Sequence, residues 1–254
     1  MSSGLMVECS AGTVVFVCST VFISAILRGI TGFGFALAAV PLISLVMPPV
    51  QGVAIAILLQ CMIGLSDLVS VRGLIDRSTL AMMSVGAMVG TPAGLMTLRL
   101  LSPDALRVII AVIVLAGLAG MIGKVRLRSG PRQAAGAGLL AGLFSGLAAM
   151  PGPPAVAYVV GTATPALQAR ATLMVFFFVT SLIALPGLLV QRIVGLPTVL
   201  VAAASLPLLV IGTRLGGRVF GRLDDAGYQK AAIATLAATA LASASRSVWG
   251  LLNA

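Results

Sequence analysis

The sequence predicts an all-α, polytopic membrane protein, and three features support this. Of its 254 residues, 59% are hydrophobic and only 9% are charged, whereas a soluble domain carries about 25% charged residues. Apolar stretches of about 20 residues, the length that crosses the hydrocarbon core as a helix, recur along the whole chain, for example at 79–98 and 228–248. The segments of alternating polarity that a membrane barrel requires are not seen, so the spans are predicted to be helices.

Apolar segments are predicted in chain order at 11–28, 33–47, 51–71, 79–98, 104–123, 134–149, 153–163, 167–190, 197–213 and 227–250. Most have the length of a membrane span, but 33–47 and 153–163 are too short to cross comfortably. Each short segment follows a break rich in glycine or proline, at 29–34 and at 150–154. Together they predict eight to ten membrane segments with two broken or re-entrant helix pairs.

The two halves of the chain resemble each other. A shift of 117 residues places the following residues on one another: Gly29 on Gly146, Pro48 on Pro165, Leu65 on Leu182. A shift of 122 residues does the same for Gly90 on Gly212 and Gly94 on Gly216. Because both broken segments fall in register, we predict a first repeat at 1–123, a basic cytoplasmic linker at 124–133 and a second repeat at 134–254.

The net charge of +10 does not indicate nucleic-acid binding, because the basic residues lie in short loops between apolar spans, where they set orientation. If each break is the tip of a hairpin, eleven basic residues share one side: Arg72, Arg77, Lys124, Arg126, Arg128, Arg132, Arg170, Arg214, Arg218, Arg222 and Lys230. Four lie on the other: Arg99, Arg107, Arg192 and Arg246. This bias favours hairpins over kinked spans, predicts both termini in the periplasm and makes the repeats inverted.

The sequence offers no support for catalysis. It contains no histidine, and its six acidic residues are scattered. Its three cysteines, Cys9, Cys18 and Cys61, lie in or beside apolar stretches and form no CxxC pair, so they are predicted to be small buried hydrophobes rather than metal ligands. We therefore expect neither an enzyme nor a cofactor or metal.

The two breaks are the predicted substrate site. Glycine and proline at matching places in inverted halves indicate a transporter site, and helix ends at membrane depth expose amide groups that bind anions. The break residues proposed to bind substrate are Gly29, Thr31, Gly32, Phe33, Gly34, Met150, Gly152 and Pro153. The alternative is that they are only kinks and sites of close helix packing.

Four side chains outside the two breaks are further candidates for substrate binding. Arg28 is the first choice for a substrate-facing cation, since an arginine well inside an apolar helix is costly unless paired or hydrated; the alternative is an interfacial charge. Arg170 and Thr172 begin a long helix, where Arg170 could instead be a positive-inside anchor. Gln60 could donate a hydrogen bond to substrate, or hold helices together.

Asp67 is the acidic residue that lies well inside an apolar run. Three readings are open for it. It could carry a coupling proton, pair with Arg72, or sit at the membrane interface.

The stretches RGITGFGFALAAVPLISLVMPP (28–49) and GLFSGLAAMPGPPAVAYVV (142–160), followed by QARAT (168–172), resemble the two signatures of the TauE/SafE sulfite-exporter family. The resemblance implies a bacterial inner-membrane transporter with two homologous halves that handles sulfite, sulfoacetate, other sulfonates, thiosulfate or related anions. The matching motif positions are Gly29, Gly32, Gly34, Gly146, Gly152, Pro153 and Pro154. Ala148 and Ala149 stand where the family pattern has a glycine-containing pair, so the second break contains less glycine than expected.

The predicted function is therefore alternating-access transport of a small sulfur-containing anion through a midplane site. Its partners are the substrate and the lipid bilayer, no nucleic acid is expected, and association into a homo-oligomer is left open. Two other classes also fit the sequence: a passive anion channel, and a membrane scaffold that transports nothing.

Overall fold

The protein is described by a computed structural model that covers residues 10–98, 100–102, 128–162 and 164–222, with short pieces at 105, 106, 108–110, 112, 113, 115, 227, 230 and 234. The predicted segments 104–123 and 227–250 lie largely outside the described residues. Within these limits, the bounded helices are α1 (Ala11–Thr31), α2 (Phe35–Ile43), α3 (Pro49–Val71), α4 (Arg77–Leu98), α5 (Pro131–Ala148), α6 (Gly152–Gly161), α7 (Ala166–Val190) and α8 (Leu196–Phe220).

The predicted helical class is confirmed, and several helix boundaries differ from the apolar runs by two to seven residues, with two examples showing why. Helix α5 begins at Pro131 rather than at 134, because proline suits the first turn of a helix even where its neighbours are polar. Helix α8 continues to Phe220, past the predicted end at 213. Its last turns carry Arg214 and Arg218, which are exposed, so the helix extends beyond the apolar stretch.

Local side chains explain where α1 and α4 begin. The Oγ of Ser10 accepts a hydrogen bond from the amide of Thr13 at 3.2 Å and caps α1. At α4, Asp76 accepts from the amides of Ser78 and Thr79, both at 3.1 Å. These acceptors satisfy amide groups that a helix start leaves without intrahelical partners.

Five of the described helices are long and apolar enough to cross a membrane: α1, α3, α4, α7 and α8. Their outer faces carry large apolar side chains, such as Met88 and Met96 on α4 and Leu200 on α8, which are 64%, 70% and 60% exposed. An apolar surface of this extent is unfavourable in water and suits lipid. The protein is a multi-pass membrane protein.

Helices α3 and α7 form the centre of the described fold. The run from Val53 to Ile57 in α3 is buried at every position, and so is the run from Leu173 to Phe177 in α7. Consecutive helical residues point in all directions around the axis, so burial of five in a row means that these helices are enclosed on every side.

Two helix pairs at the periphery are packed through glycine. In the α4–α5 pair, Gly86, Gly90 and Gly94 face α5, while Gly138, Gly142 and Gly146 face α4. At each of these positions, an added Cβ would lie less than 3.0 Å from a backbone atom of the partner helix, a distance that real Cβ atoms essentially never show. The backbones therefore touch directly, which is how membrane helices associate where no hydrophobic effect drives them together.

The α1–α8 pair repeats this arrangement. Gly29 on α1 faces the carbonyl of Thr213 and the Cα of Gly216, and Gly146 on α5 faces the carbonyl of Thr91 and Gly94. These are equivalent positions under the sequence shifts of 117 and 122 residues. In both pairs, the helix that precedes a break packs against a helix from the other half of the chain. The division of the chain into two repeats stays a prediction.

Candidate functional site

The first break separates α1 from α2. Helix α1 ends at Gly32, which adopts φ 78° and donates its amide to the carbonyl of Arg28 at 2.7 Å. Gly34, at φ 88°, then precedes α2. The hydroxyl of Thr31 braces the turn by donating to the carbonyl of Phe33 at 2.7 Å. Two left-handed residues this close together require glycine, which explains the Gly-x-Gly sequence.

The second break separates α5 from α6 at the equivalent place. Ala149, which corresponds to Gly32 under the 117-residue shift, adopts φ 58° and donates its amide to the carbonyl of Ser145 at 2.8 Å, while the amide of Met150 donates to the carbonyl of Phe144 at 3.2 Å. Helix α6 begins at Gly152, with Pro153 and Pro154 in its first turn as expected. The backbone at Ala149 has the left-handed conformation that an L side chain disfavours.

We expect Ala149→Gly to raise the free energy of unfolding by about 1 kcal/mol, because glycine adopts this conformation without steric cost. Ala148→Gly is the matched control: it removes the same methyl group one residue earlier, where the backbone is helical, and should lower stability by about 0.5–1 kcal/mol. Thermal unfolding in detergent measures both. A lower melting temperature for Ala149→Gly would contradict the assigned backbone conformation.

The two breaks meet at one small, partly open cavity. Gly152 lies against the first break, since a Cβ at this position would be 3.1 Å from Cδ1 of Leu37. The lining residues come from both breaks and from the two central helices: Arg28, Phe33, Gly34, Phe35, Ala36, Leu37, Gln60, Ala149, Met150, Pro151, Gly152 and Phe177. The cavity therefore lies between the two halves of the chain.

Helix N-termini contribute amide groups to this cavity unequally. Phe35, Ala36 and Leu37 form the first turn of α2, where no side chain caps the amides. In α6 the first turn is Gly152, Pro153 and Pro154, and proline carries no N–H. The first break thus supplies three amides without intrahelical partners and the second supplies one. Such amides, together with the positive end of the helix dipole, bind anions.

A buried ion pair adjoins the cavity. The Nη2 of Arg28 donates to Oδ2 of Asp67 on α3, and the two residues are 4% and 6% exposed. The other terminal nitrogen of Arg28, Nη1, is buried and has no hydrogen-bond partner among the described residues. An unpaired donor on a buried guanidinium is costly, so this nitrogen is suited to bind an incoming anion.

The cavity brings together six of the residues proposed from the sequence: Arg28, Phe33, Gly34, Gln60, Met150 and Gly152. Of the other break residues, Gly29 packs against α8, Gly32 packs against Arg170, and Thr31 holds the turn. Pro153 lies in the first turn of α6 outside the lining. These four shape the breaks rather than form the cavity wall.

Arg170 and Thr172 do not line this cavity, and their role in substrate binding stays a prediction. Arg170 donates to the carbonyl of Gly29 at 2.8 Å and lies 4.5 Å from the centroid of the Phe220 ring. Thr172 accepts the amide hydrogen of Asp76 at 3.0 Å. Both side chains therefore connect α7 to neighbouring segments. The position of Arg170 is favourable because its guanidinium lies near the C-terminus of α1, where carbonyls are exposed.

Asp67 pairs with Arg28 rather than with Arg72. Arg72 follows five residues later on the same helix, where side chains do not face each other well. The role of Asp67 as a carrier of a coupling proton stays a prediction.

Six lining residues were not among the sequence candidates: Phe35, Ala36, Leu37, Ala149, Pro151 and Phe177. A signal for Phe177 was present, because the 117-residue shift places Gln60 on it. The same shift places Phe33 on Met150, and both line the cavity. Carrying each candidate to its equivalent in the other half would have found Phe177.

Comparison with known proteins identifies the family of the chain. The sulfite exporter TauE/SafE family matches residues 17–243, which is nearly the whole chain. No curated protein and no solved structure matched in two further comparisons. The family consists of membrane transporters of sulfur-containing anions and not of enzymes. The resemblance seen in the motifs at 28–49 and 142–160 is thereby confirmed, and the chain belongs to the sulfite exporter TauE/SafE family.

Proposed function

We propose that the protein is a secondary transporter that carries a small organosulfonate or sulfur oxyanion, such as sulfite or sulfoacetate, across the bacterial inner membrane. The substrate binds in the cavity between the two breaks, and the two repeats move relative to one another to expose it to either side. The observation that carries this proposal is the meeting of both broken helices at one cavity lined by Arg28.

The chemistry of the cavity supports an anionic substrate. Three amides of α2, the amide of Gly152, the side-chain amide of Gln60 and the guanidinium of Arg28 all supply N–H donors there. Sulfonate and sulfite present several oxygen acceptors within a small volume, which matches converging donors. The aromatic rings of Phe33 and Phe177 and the side chain of Met150 complete the wall.

The transport proposal is tested by flux of labelled sulfite and sulfoacetate into proteoliposomes, compared with protein-free liposomes. Gln60→Leu removes a donor from the cavity and should raise the KM about tenfold, the effect of about 1.4 kcal/mol for a hydrogen bond to a charged ligand. Gln51→Leu is the matched control, because Gln51 is also buried on α3 but does not line the cavity.

A saturable flux that Gln60→Leu weakens and Gln51→Leu preserves would support transport through this cavity. A flux that rises linearly with concentration would indicate a passive channel. The absence of flux for any sulfur-containing anion would contradict transport and favour a scaffold.

We further propose that the basic linker faces the cytoplasm, on the basis of the eleven-to-four distribution of basic residues. In a variant whose native cysteines are replaced by serine, Ser129→Cys should react with a membrane-impermeant maleimide in inside-out vesicles and not in intact cells. Leu196→Cys, at the start of α8 and on the opposite side in this topology, should react in intact cells once the outer membrane is permeable. Both positions are exposed. The reverse labelling would contradict the orientation.

A further inference from the structure

The Arg28–Asp67 pair gives the candidate site an unusual charge balance. Arg28 lines the cavity, whereas Asp67 contacts Arg28 but does not line the cavity itself. Nη2 of the guanidinium is thus engaged by a resident carboxylate, while Nη1 has no partner among the described residues. The formal charge of the pair is zero, although the cavity is built from donors.

This balance has different consequences for singly and doubly charged ligands. A monoanion bound beside the pair leaves one net negative charge in a buried region, and a dianion leaves two. Net charge in a poorly solvated interior is unfavourable, and each additional ligand charge is repelled by the Asp67 carboxylate. The amides of α2 and α6 contribute only fractional charges, so they do not offset a second full charge.

We infer that Asp67 is a specificity-determining residue: by holding a fixed negative charge on Arg28, it makes the cavity favour singly charged sulfur anions, such as hydrogen sulfite or a simple alkanesulfonate, over doubly charged ones, such as sulfate or sulfoacetate. The inference rests on the proposed function, because it assigns a selectivity to the same site. It also gives Asp67 a role in the resting protein that does not depend on its carrying a proton.

Sulfate and methanesulfonate form a suitable pair of probes. They share a tetrahedral sulfur and nearly the same size, and they differ by one unit of charge where a methyl group replaces an oxygen. Binding of each to the full-length protein in detergent is measured by calorimetry at one fixed pH. The readout is the ratio of the two dissociation constants, which does not depend on the fraction of active protein in a preparation.

In Asp67→Asn the resident charge is removed while the side-chain shape is kept. The affinity for sulfate relative to methanesulfonate should rise about 30- to 100-fold, as expected for one unit-charge interaction over about 6–8 Å at an effective dielectric constant near 20. Asp67→Glu retains the charge and should keep the native ratio. If Asp67→Asn is too unstable to purify, its melting temperature is measured in membranes with each anion added in turn. Sulfate should then raise the melting temperature of this variant more than methanesulfonate does.

An unchanged ratio in Asp67→Asn, or the same change in Asp67→Glu, would overturn the inference, because a purely structural pair would alter the affinity for both anions alike. If the native protein binds neither anion and transports no sulfur-containing anion, the proposed transport function itself is contradicted. Native transport with an unchanged ratio would instead reject the selectivity alone.

Discussion

Gly138→Ala should lower the free energy of unfolding by about 2 kcal/mol, within the range measured for overpacked interiors. The added Cβ would lie 2.6 Å from both the Cα and the carbonyl carbon of Met83 on α4. Backbone atoms cannot rotate away as a side chain can, so α4 and α5 must separate. Their separation would also weaken the neighbouring contacts at Gly142 and Gly146, which depend on the same close approach.

Gly136→Ala is the matched control. It makes the same change on the same helix, but among the described residues no atom beyond the helix's own nearby backbone lies within 4 Å of the added Cβ. Alanine is favoured over glycine in a helix by about 1 kcal/mol, so this variant should be as stable as the native protein or slightly more so. Melting temperature and folded yield in detergent measure both. Equal stability of the two variants would contradict the direct backbone contact between α4 and α5.

Arg28→Gln should reduce the flux of the transported anion about 100-fold, because losing a charged contact to a buried anion typically costs 2–5 kcal/mol. The single variant also leaves Asp67 buried without its partner, which destabilises a protein by about 3–5 kcal/mol. Loss of flux alone would therefore not separate binding from folding.

The double variant, Arg28→Gln with Asp67→Asn, separates the two effects. It removes both charges, so the buried carboxylate no longer lacks a partner and the melting temperature should recover towards the native value. Flux should stay low, because the guanidinium that lines the cavity is still missing. Native flux in the double variant would show that Arg28 serves only to neutralise Asp67.

The amino-acid sequence was sufficient to predict the helical membrane class and the places where helices break. These properties are local: hydropathy over about 20 residues decides a span, and glycine or proline decides where a helix cannot continue. The breaks therefore lie where they were predicted, between α1 and α2 and between α5 and α6. Internal similarity also indicated that the two breaks belong together.

Only the tertiary structure decided the partners of the buried charges. Asp67 lies 39 residues from Arg28, and Arg170 lies 141 residues from the Gly29 carbonyl that it binds. The five-residue spacing disfavours Arg72 as the partner of Asp67, but nothing in the sequence points to Arg28 instead. The choice follows from the packing of both α1 and α3 against α8, because a charge in a membrane interior binds whatever opposite charge the fold brings within reach.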